Sequence, residues 1–499
     1  MIKVKDNNFF WYFILLFFTF FIRLHTLQYE VISWDEATFI MAGGEILKGF
    51  LPYESMYEMK PPILYYVYAI PLYFHNSLES VRIFGIVCIF FSSLILYQFL
   101  INFIEKYKAA LGALFFISIM NYYFWLKTSS EIICLPFLLL GFIFFINHRN
   151  NYKNLFLSGL FISVSTLIRL NIGYLALFLL IYLFFKNLNW KKKLNEILIF
   201  SFSGLIPLII LVFMYNSKNL LPLFIAGTFE VPLVYSSENS LLDGFINYSK
   251  TILKLCYFNP HIFLPVLISG ILAFRKKSYL SEQKVIFYLF LLGVIFTTLL
   301  AGQGFSHHLI MLIPFLVIYI LTKDFSSINY KNLITLFCAF SIISAFYLSI
   351  VPNINMIDNN FNFRKNHKIR QISNDIDNIN GKILALDYHL IYFYSKDLIP
   401  LKLFHTPAIV RKTTEKRLKP LKEINYFSDN FILNTLNKDY DYILCSTRIC
   451  IEGRPNLDNE MIKKILSNYV LVKKINNFSK WEHTKEGNLL LYKKLKKSD

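Results

Sequence analysis

The chain has 499 residues, of which 55% are hydrophobic, 18% aromatic and only 17% charged. Soluble domains carry about 25% charged residues, so the composition excludes an ordinary soluble enzyme and fits a polytopic α-helical membrane protein. The formal charge of +19 would suit nucleic acid, but the Lys and Arg residues sit in short loops between apolar runs, where they set membrane topology; nucleic acid is excluded as a partner.

The first apolar segment runs from Phe9 to about Leu27 with no small-residue cleavage site after it, which reads as an uncleaved signal anchor. At about 20 apolar residues per crossing, the sequence predicts about 11 spans. They lie near 9–28, 81–103, 109–126, 131–147, 154–169, 170–186, 197–216, 260–275, 284–300, 304–322 and 331–351. The pair 154–169 and 170–186 reads as two short helices meeting around Arg169. Alternate loops are basic: Lys3 and Lys5, Lys106 and Lys108, Arg149 and Lys153, Lys186 with 191–193, 275–277 with Lys284, and Lys323 with Lys331. These face the cytoplasm by the positive-inside rule. Loops 29–80 and 217–259 are then outside and, with an odd number of spans, so is everything after Pro352.

The first outer loop is densest in chemistry. Phe39, Ala42, Ile46 and Phe50 fall at helical spacing, with Asp35, Glu45 and Lys48 at other angles. That pattern predicts an amphipathic helix lying in the interface plane. Tyr65, Tyr66, Tyr68 and Tyr73 fit an interfacial aromatic belt. Residues 1–352 thus form a transmembrane domain with an amphipathic outer loop, 29–80. Residues 353–499 are more charged, and 382–387, 442–445, 470–472 and 489–492 read as short strands. Helical patterns occupy 412–421 and 460–467. This predicts a small extracytoplasmic α/β domain. The six cysteines show no metal-ligand spacing. Cys445 and Cys450 would make a disulfide outside the cell, or stand as two thiols beside a strand.

Several residues carry two readings. Asp35 could take a proton from an acceptor as general base, or cap a helix; Glu36 stands beside it. Glu131 opens a span, where an acid must face a polar cavity or a partner, and Lys127 or Arg169 could pair with it. Lys60, fixed by Pro61 and Pro62, could bind phosphate as a point charge or snorkel to lipid headgroups. Arg169 lies within an apolar run, a position that marks functional sites; Arg23 and Arg82 read as structural. His307 and His308 could bind metal or phosphate, or hydrogen-bond at the interface. Adjacent helical residues point about 100° apart, which disfavours their sharing one ion.

The stretch WDEATFIMAGGEILKGFLPYESMYEMKPPILYY, followed by SVRIFGI, resembles the polyprenyl-phosphate-sugar-dependent glycosyltransferases of the C-type superfold. The resemblance is to the protein O-mannosyltransferase-like branch that includes the lipid A aminoarabinose transferases. Asp35-Glu36, Gly49 with Pro52-Tyr53, and Lys60-Pro61-Pro62 match its pattern in order. Glu131 stands where the family has its second acid, Arg169 where relatives carry a basic residue, and GFSHHLIMLIP resembles a late His-Tyr…Pro segment, with Leu309 in place of Tyr. The resemblance covers about residues 9–352. It implies inverting transfer of a sugar from a polyprenyl-phosphate donor to a lipid, glycan or protein acceptor outside a bacterial plasma membrane. Asp35 would be the base, Lys60 and Arg169 would hold the phosphate, and Glu36 and Glu131 would shape the acceptor or sugar pocket. His308 and Tyr53 are further site candidates. Met59 and Val231 stand where some relatives place an acid and a His that bind metal, so a divalent metal is in doubt and no other cofactor is implied. A flippase or transporter of lipid-linked saccharide would show two similar halves or helices broken at mid-depth, whereas no such symmetry is seen and the charges cluster at one surface; a polymerase or ligase would place its chemistry in a large late outer loop, whereas the densest motif here is in the first.

Overall fold

The computed structural model describes the chain apart from residues 1–7, 122–124, 150, 187–188, 239, 259, 261–281, 301, 323–327, 359–366, 379–380, 396–413, 429–433, 435–437, 439, 454–458, 480–486 and 496–499. In chain order come α1 (Phe9–Arg23), α2 (Trp34–Leu47), α3 (Pro62–Phe74), α4 (Leu78–Leu100), α5 (Lys106–Met120), α6 (Ser130–Ile146), α7 (Tyr152–Ile168) and α8 (Gly173–Phe185). Next are α9 (Trp190–Ser217), α10 (Leu221–Ile225), α11 (Val231–Ser236), α12 (Leu241–Phe258), α13 (Glu282–Leu300), α14 (Ile313–Thr322) and α15 (Ile328–Asp358). The remainder carries α16 (Lys368–Asp377) and strands β1 (Ile383–Ala385), β2 (Tyr442–Ser446), β3 (Tyr469–Ser479) and β4 (Gly487–Lys494).

Among the described residues, 5 helices are long and apolar enough to cross a membrane: Phe9–Gln28, Leu78–Leu100, Trp190–Ser217, Glu282–Leu300 and Thr335–Ile357. Others, such as Ser130–Ile146 and Tyr152–Ile168, are apolar but shorter. The span expected near 260–275 lies outside the described residues, and the other expected spans fall on helices. Helix is what such sequences must form, since backbone groups in hydrocarbon have only each other to bond.

The chain divides into two compact units. One comprises Met1–Leu27, Arg82–Leu211 and Ser236–Asn360; the other comprises Gln28–Val81, Val212–Tyr235 and Phe361–Asp499. The sequence suggested a cut at 352; instead, the outer loop is grouped with the C-terminal region.

The first unit is helical. Phe142 packs against Phe99, Phe290 and Phe315, and Phe145 against Phe200 and Phe290. Helices α7 and α9 approach closely at Gly159, where a side chain would strike the Phe200 carbonyl; small residues permit such crossings. Phe202, Leu205, Ile209, Ile210 and Phe213 on α9 are exposed, the surface that lipid would cover. Arg23 donates to the carbonyls of Met120, Trp125 and Leu126, and Arg82 to that of Thr26. Both arginines bond backbone carbonyls, which fits their structural reading. Lys186 Nζ lies 3.2 Å from Glu282 and 3.5 Å from Glu196.

In the second unit, α2 and α3 touch backbone to backbone. A Cβ at Gly43 would sit 3.0 Å from the Tyr68 carbonyl carbon and the Ala69 nitrogen. The expected one-sided amphipathic helix is not what forms. Residues 36–43 are all buried, because α3 packs against α2 and so does the short helix Ile391–Tyr394. Helix α2 ends at Leu47 with Lys48 as its cap, and Gly49 just beyond, φ 95°, closes the turn. Of the expected tyrosine belt, Tyr65 and Tyr68 are buried against Phe39, while Tyr73 is exposed. The C-terminal sheet has the order β1-β2-β4-β3, with β1 parallel to β2 and the other pairs antiparallel. Its strands fall on the stretches read from sequence. Cys445 and Cys450 form a disulfide.

Candidate functional site

The candidate residues fall in both units. In the second, Ser33 precedes α2 in extended backbone, and Asp35 and Glu36 occupy its first turn, where the helix dipole favours negative charge. Asp35 is half-buried and Glu36 buried. One turn on, the Thr38 hydroxyl donates to the Trp34 carbonyl at 2.9 Å. His389 Nε2 lies 2.7 Å from the same oxygen and therefore donates to it. His389 stands just beyond the carboxyl end of β1, the end at which parallel strands deliver loops to sites.

Lys60 ends a loop held by phenols. Tyr53 has a left-handed backbone, φ 71°, and its hydroxyl donates to the Lys60 carbonyl at 2.5 Å. The Lys60 N–H donates to Tyr65 at 3.2 Å, and Tyr65 donates to the Glu58 carbonyl at 2.9 Å. Tyr215 bonds the Pro52 carbonyl at 2.8 Å, Tyr57 the Gly227 carbonyl at 3.2 Å, and Tyr426 the Tyr53 carbonyl. Burial pushes the phenols of Tyr53, Tyr57 and Tyr426 well above their ordinary range, so they act as neutral donors. Pro61 is extended and Pro62 opens α3, a fixed start for a helix. Lys60 thus projects from a backbone set by three separate stretches of chain.

In the first unit, α7 and α8 meet at Arg169, as the sequence suggested: Arg169 caps α7, and a 3-10 turn, Leu170–Ile172, leads into α8. Arg169 Nη1 donates to Glu131 Oε1 and lies 3.4 Å from Ser130 Oγ. Ser130 Oγ is 3.3 Å from Glu131 Oε2. Both charged side chains are buried, at 4% and 2% exposure. A buried pair leaves neither partner cheaply removable. His307 Nε2 lies 3.9 Å from Glu131 Oε1. The Tyr248 hydroxyl sits 2.5 Å from His308 Nδ1. Ligand atoms of Glu131, His307 and His308 lie within 4.8 Å of one another.

The sequence-derived residues therefore form local groups. Glu131, Arg169, His307 and His308 come together; Asp35 and Glu36 share one helix turn; Tyr53 and Lys60 share one loop. Thr38, His389 and Tyr248 were not singled out by sequence. The one available signal was the Asp387–Tyr388–His389 segment following a predicted strand.

Residues 59–215 match the family model for dolichyl-phosphate-mannose-protein mannosyltransferase. No curated protein matches the chain. Among solved structures, the crystal structure of ArnT from Cupriavidus metallidurans bound to undecaprenyl phosphate aligns with a TM-score of 0.59. The alignment covers 96% of this chain and 97% of that one at 11% sequence identity. The chain has an ArnT-like fold. The stretch that matches the mannosyltransferase model includes Lys60, Glu131 and Arg169. Asp35, Glu36 and the two histidines lie outside it.

Proposed function

We propose that the chain is an inverting glycosyltransferase. It takes a sugar from a polyprenyl-phosphate donor and moves it to a lipid, glycan or protein acceptor at the outer face of a bacterial plasma membrane. The observation that carries this reading is the mannosyltransferase match over 59–215, within an ArnT-like fold. The undecaprenyl phosphate of the ArnT structure supports the donor class.

Asp35 takes the proton of the acceptor hydroxyl as its oxygen attacks the anomeric carbon. The bond from that carbon to the phosphate oxygen breaks, and polyprenyl phosphate leaves with the electron pair. A single displacement inverts the anomeric centre. Lys60 and Arg169 receive the leaving phosphate, with Arg169 oriented by Glu131. Glu36 and Glu131 bound the sugar or acceptor pocket, and Tyr53 sets the loop from which Lys60 projects. His308 is a further contact on the Glu131 side. The Cys445–Cys450 disulfide supports an oxidising, extracytoplasmic setting for the C-terminal region.

The test is transfer of radiolabelled sugar from polyprenyl-phosphate donors to endogenous acceptors in membranes accessible from outside. Asp35→Asn should lower the rate about 10²–10⁴-fold while inserting normally. Equal transfer by wild type and Asp35→Asn would remove Asp35 from the chemistry. No transfer from any polyprenyl-phosphate sugar would move the flippase reading ahead.

A further inference from the structure

We propose that Glu131, His307 and His308 form a binding site for one divalent transition-metal ion, with zinc the best fit. Among the described residues, theirs is the group of His, Cys, Asp and Glu side chains whose ligand atoms converge, all within 4.8 Å of one another. Two ligands on one ion at 2.0–2.1 Å stand at most about 4.2 Å apart. His307 Nε2 and Glu131 Oε1, at 3.9 Å, are too far apart for a hydrogen bond yet within that span. Tetrahedral ligation brings ligand atoms to about 3.4 Å, so a separation as wide as 4.8 Å has to close by roughly 1.4 Å through side-chain rotation when the ion binds.

The surroundings fit ligation. A ligating histidine characteristically donates its other ring N–H to a nearby acceptor, which fixes the tautomer and ring orientation. The Tyr248 oxygen stands 2.5 Å from His308 Nδ1, so with Nε2 on the ion the Nδ1–H would find its acceptor there. The His307 ring is stacked on Phe305 with an interplanar angle of 15°. Glu131 and His308 are buried, at 1% and 6% exposure. Two imidazoles with one carboxylate select zinc or iron over magnesium and calcium. Three protein ligands leave at least one position open, the pattern of reactive and not purely structural sites. Arg169 competes with the ion for the Glu131 carboxylate, so binding shares or displaces that contact. The positive charge beside the open position suits an anion there.

This inference stands on these residues and not on the transferase reading. The experiment uses the full chain, purified in nanodiscs with any affinity tag removed. Metal content is read by mass spectrometry as isolated, and again after chelation and titration with Zn²⁺ or Co²⁺ against a chromophoric competitor. One equivalent is expected, with affinity lowered at least tenfold in His308→Ala and Glu131→Gln. Tyr248→Phe removes the acceptor of the His308 N–H while conserving shape, and should weaken binding roughly tenfold. Pulsed paramagnetic resonance of wild type loaded with Co²⁺ should show histidine nitrogen coupling, a readout that needs no variant to fold. Failure to take up one equivalent, affinity unchanged by these substitutions, or no nitrogen coupling would each overturn the assignment.

Discussion

Removing the Arg169 guanidinium takes the nearest cation from a buried carboxylate. Arg169→Leu should destabilise the protein by about 3–5 kcal/mol, whereas Arg169→Leu with Glu131→Leu should recover most of that loss, since an apolar pair substitutes well for a buried ionic one. A double-mutant cycle by denaturant unfolding in detergent would read it; additive losses would mean the two side chains do not act as a pair. Gly227 makes a second residue-scale case. A Cβ there would lie 2.9 Å from the Tyr53 ring and 3.2 Å from that of Tyr57, and Tyr53 is tied at its hydroxyl to Lys60. Gly227→Ala should therefore cost about 1–3 kcal/mol and raise the apparent KM for the donor. Gly44→Ala, at a helix position with nothing within 4 Å, should instead stabilise by about 0.5–1 kcal/mol; thermal unfolding of the two variants in parallel is the check. Individual residues were partly legible in sequence. Glu131 and Arg169 could be read as partners because charges in apolar runs must find one another. The convergence of His307 with His308 could not, because backbone angle alone does not fix where the ends of two rings go. Their centroids are 4.7 Å apart.

At the scale of elements, Glu30 joins the start of the first outer loop to α16. Its carboxylate accepts from the Ile369 N–H at 3.0 Å and the Arg370 N–H at 2.9 Å, satisfying donors that a helix start leaves open. Burial outweighs these bonds and raises the Glu30 carboxyl from its ordinary 4.5 to about 7. The folded state then binds this proton more tightly than the unfolded state. The contribution to stability is full below pH 4.5 and is lost as pH rises towards 7, with a slope of about 1.4 kcal/mol per pH unit for one group. Asp387, pushed from 3.8 to about 7 mainly by burial, adds a slope of the same sign. Glu30→Gln should flatten the fall in melting temperature between pH 5 and 7, and an unchanged slope would assign the titration elsewhere. The sheet was legible because its strands carry short apolar runs, ILA, YIL, YVLV and LLLY, in an otherwise charged stretch. Helix α2 was misread in one respect: spacing reports the stripe facing one partner, and α2 has a second partner contributed by residues more than 340 positions later.

The whole molecule mixes distant stretches of chain. The proposed sidedness can be read at the disulfide. Cys445→Ser frees the Cys450 thiol; Cys88, Cys134 and Cys338 are buried, and the half-buried Cys256 is replaced by Ser in both chains compared. A membrane-impermeant maleimide added to intact cells should label Cys256→Ser with Cys445→Ser and leave Cys256→Ser alone nearly unlabelled; labelling only after permeabilisation would reverse the topology. Sequence could not show that the first outer loop and the C-terminal region make one compact unit, because nothing in either stretch records its partner. That unit bears on biosynthesis. Thr38 on the helix of Asp35 and Glu36 meets His389 across 351 positions. At about 5–20 residues per second of synthesis, the ribosome needs roughly 20–70 s to make the second partner after the first. Through that interval the acidic helix waits for a neighbour, and the spans in between are inserted while it does. A chain ended at 352 would carry both acids yet lack His389 and the short helix Ile391–Tyr394, which pack on the helix that bears them. The chemistry proposed for the first outer loop is therefore written early in the chain and put in order only near its end.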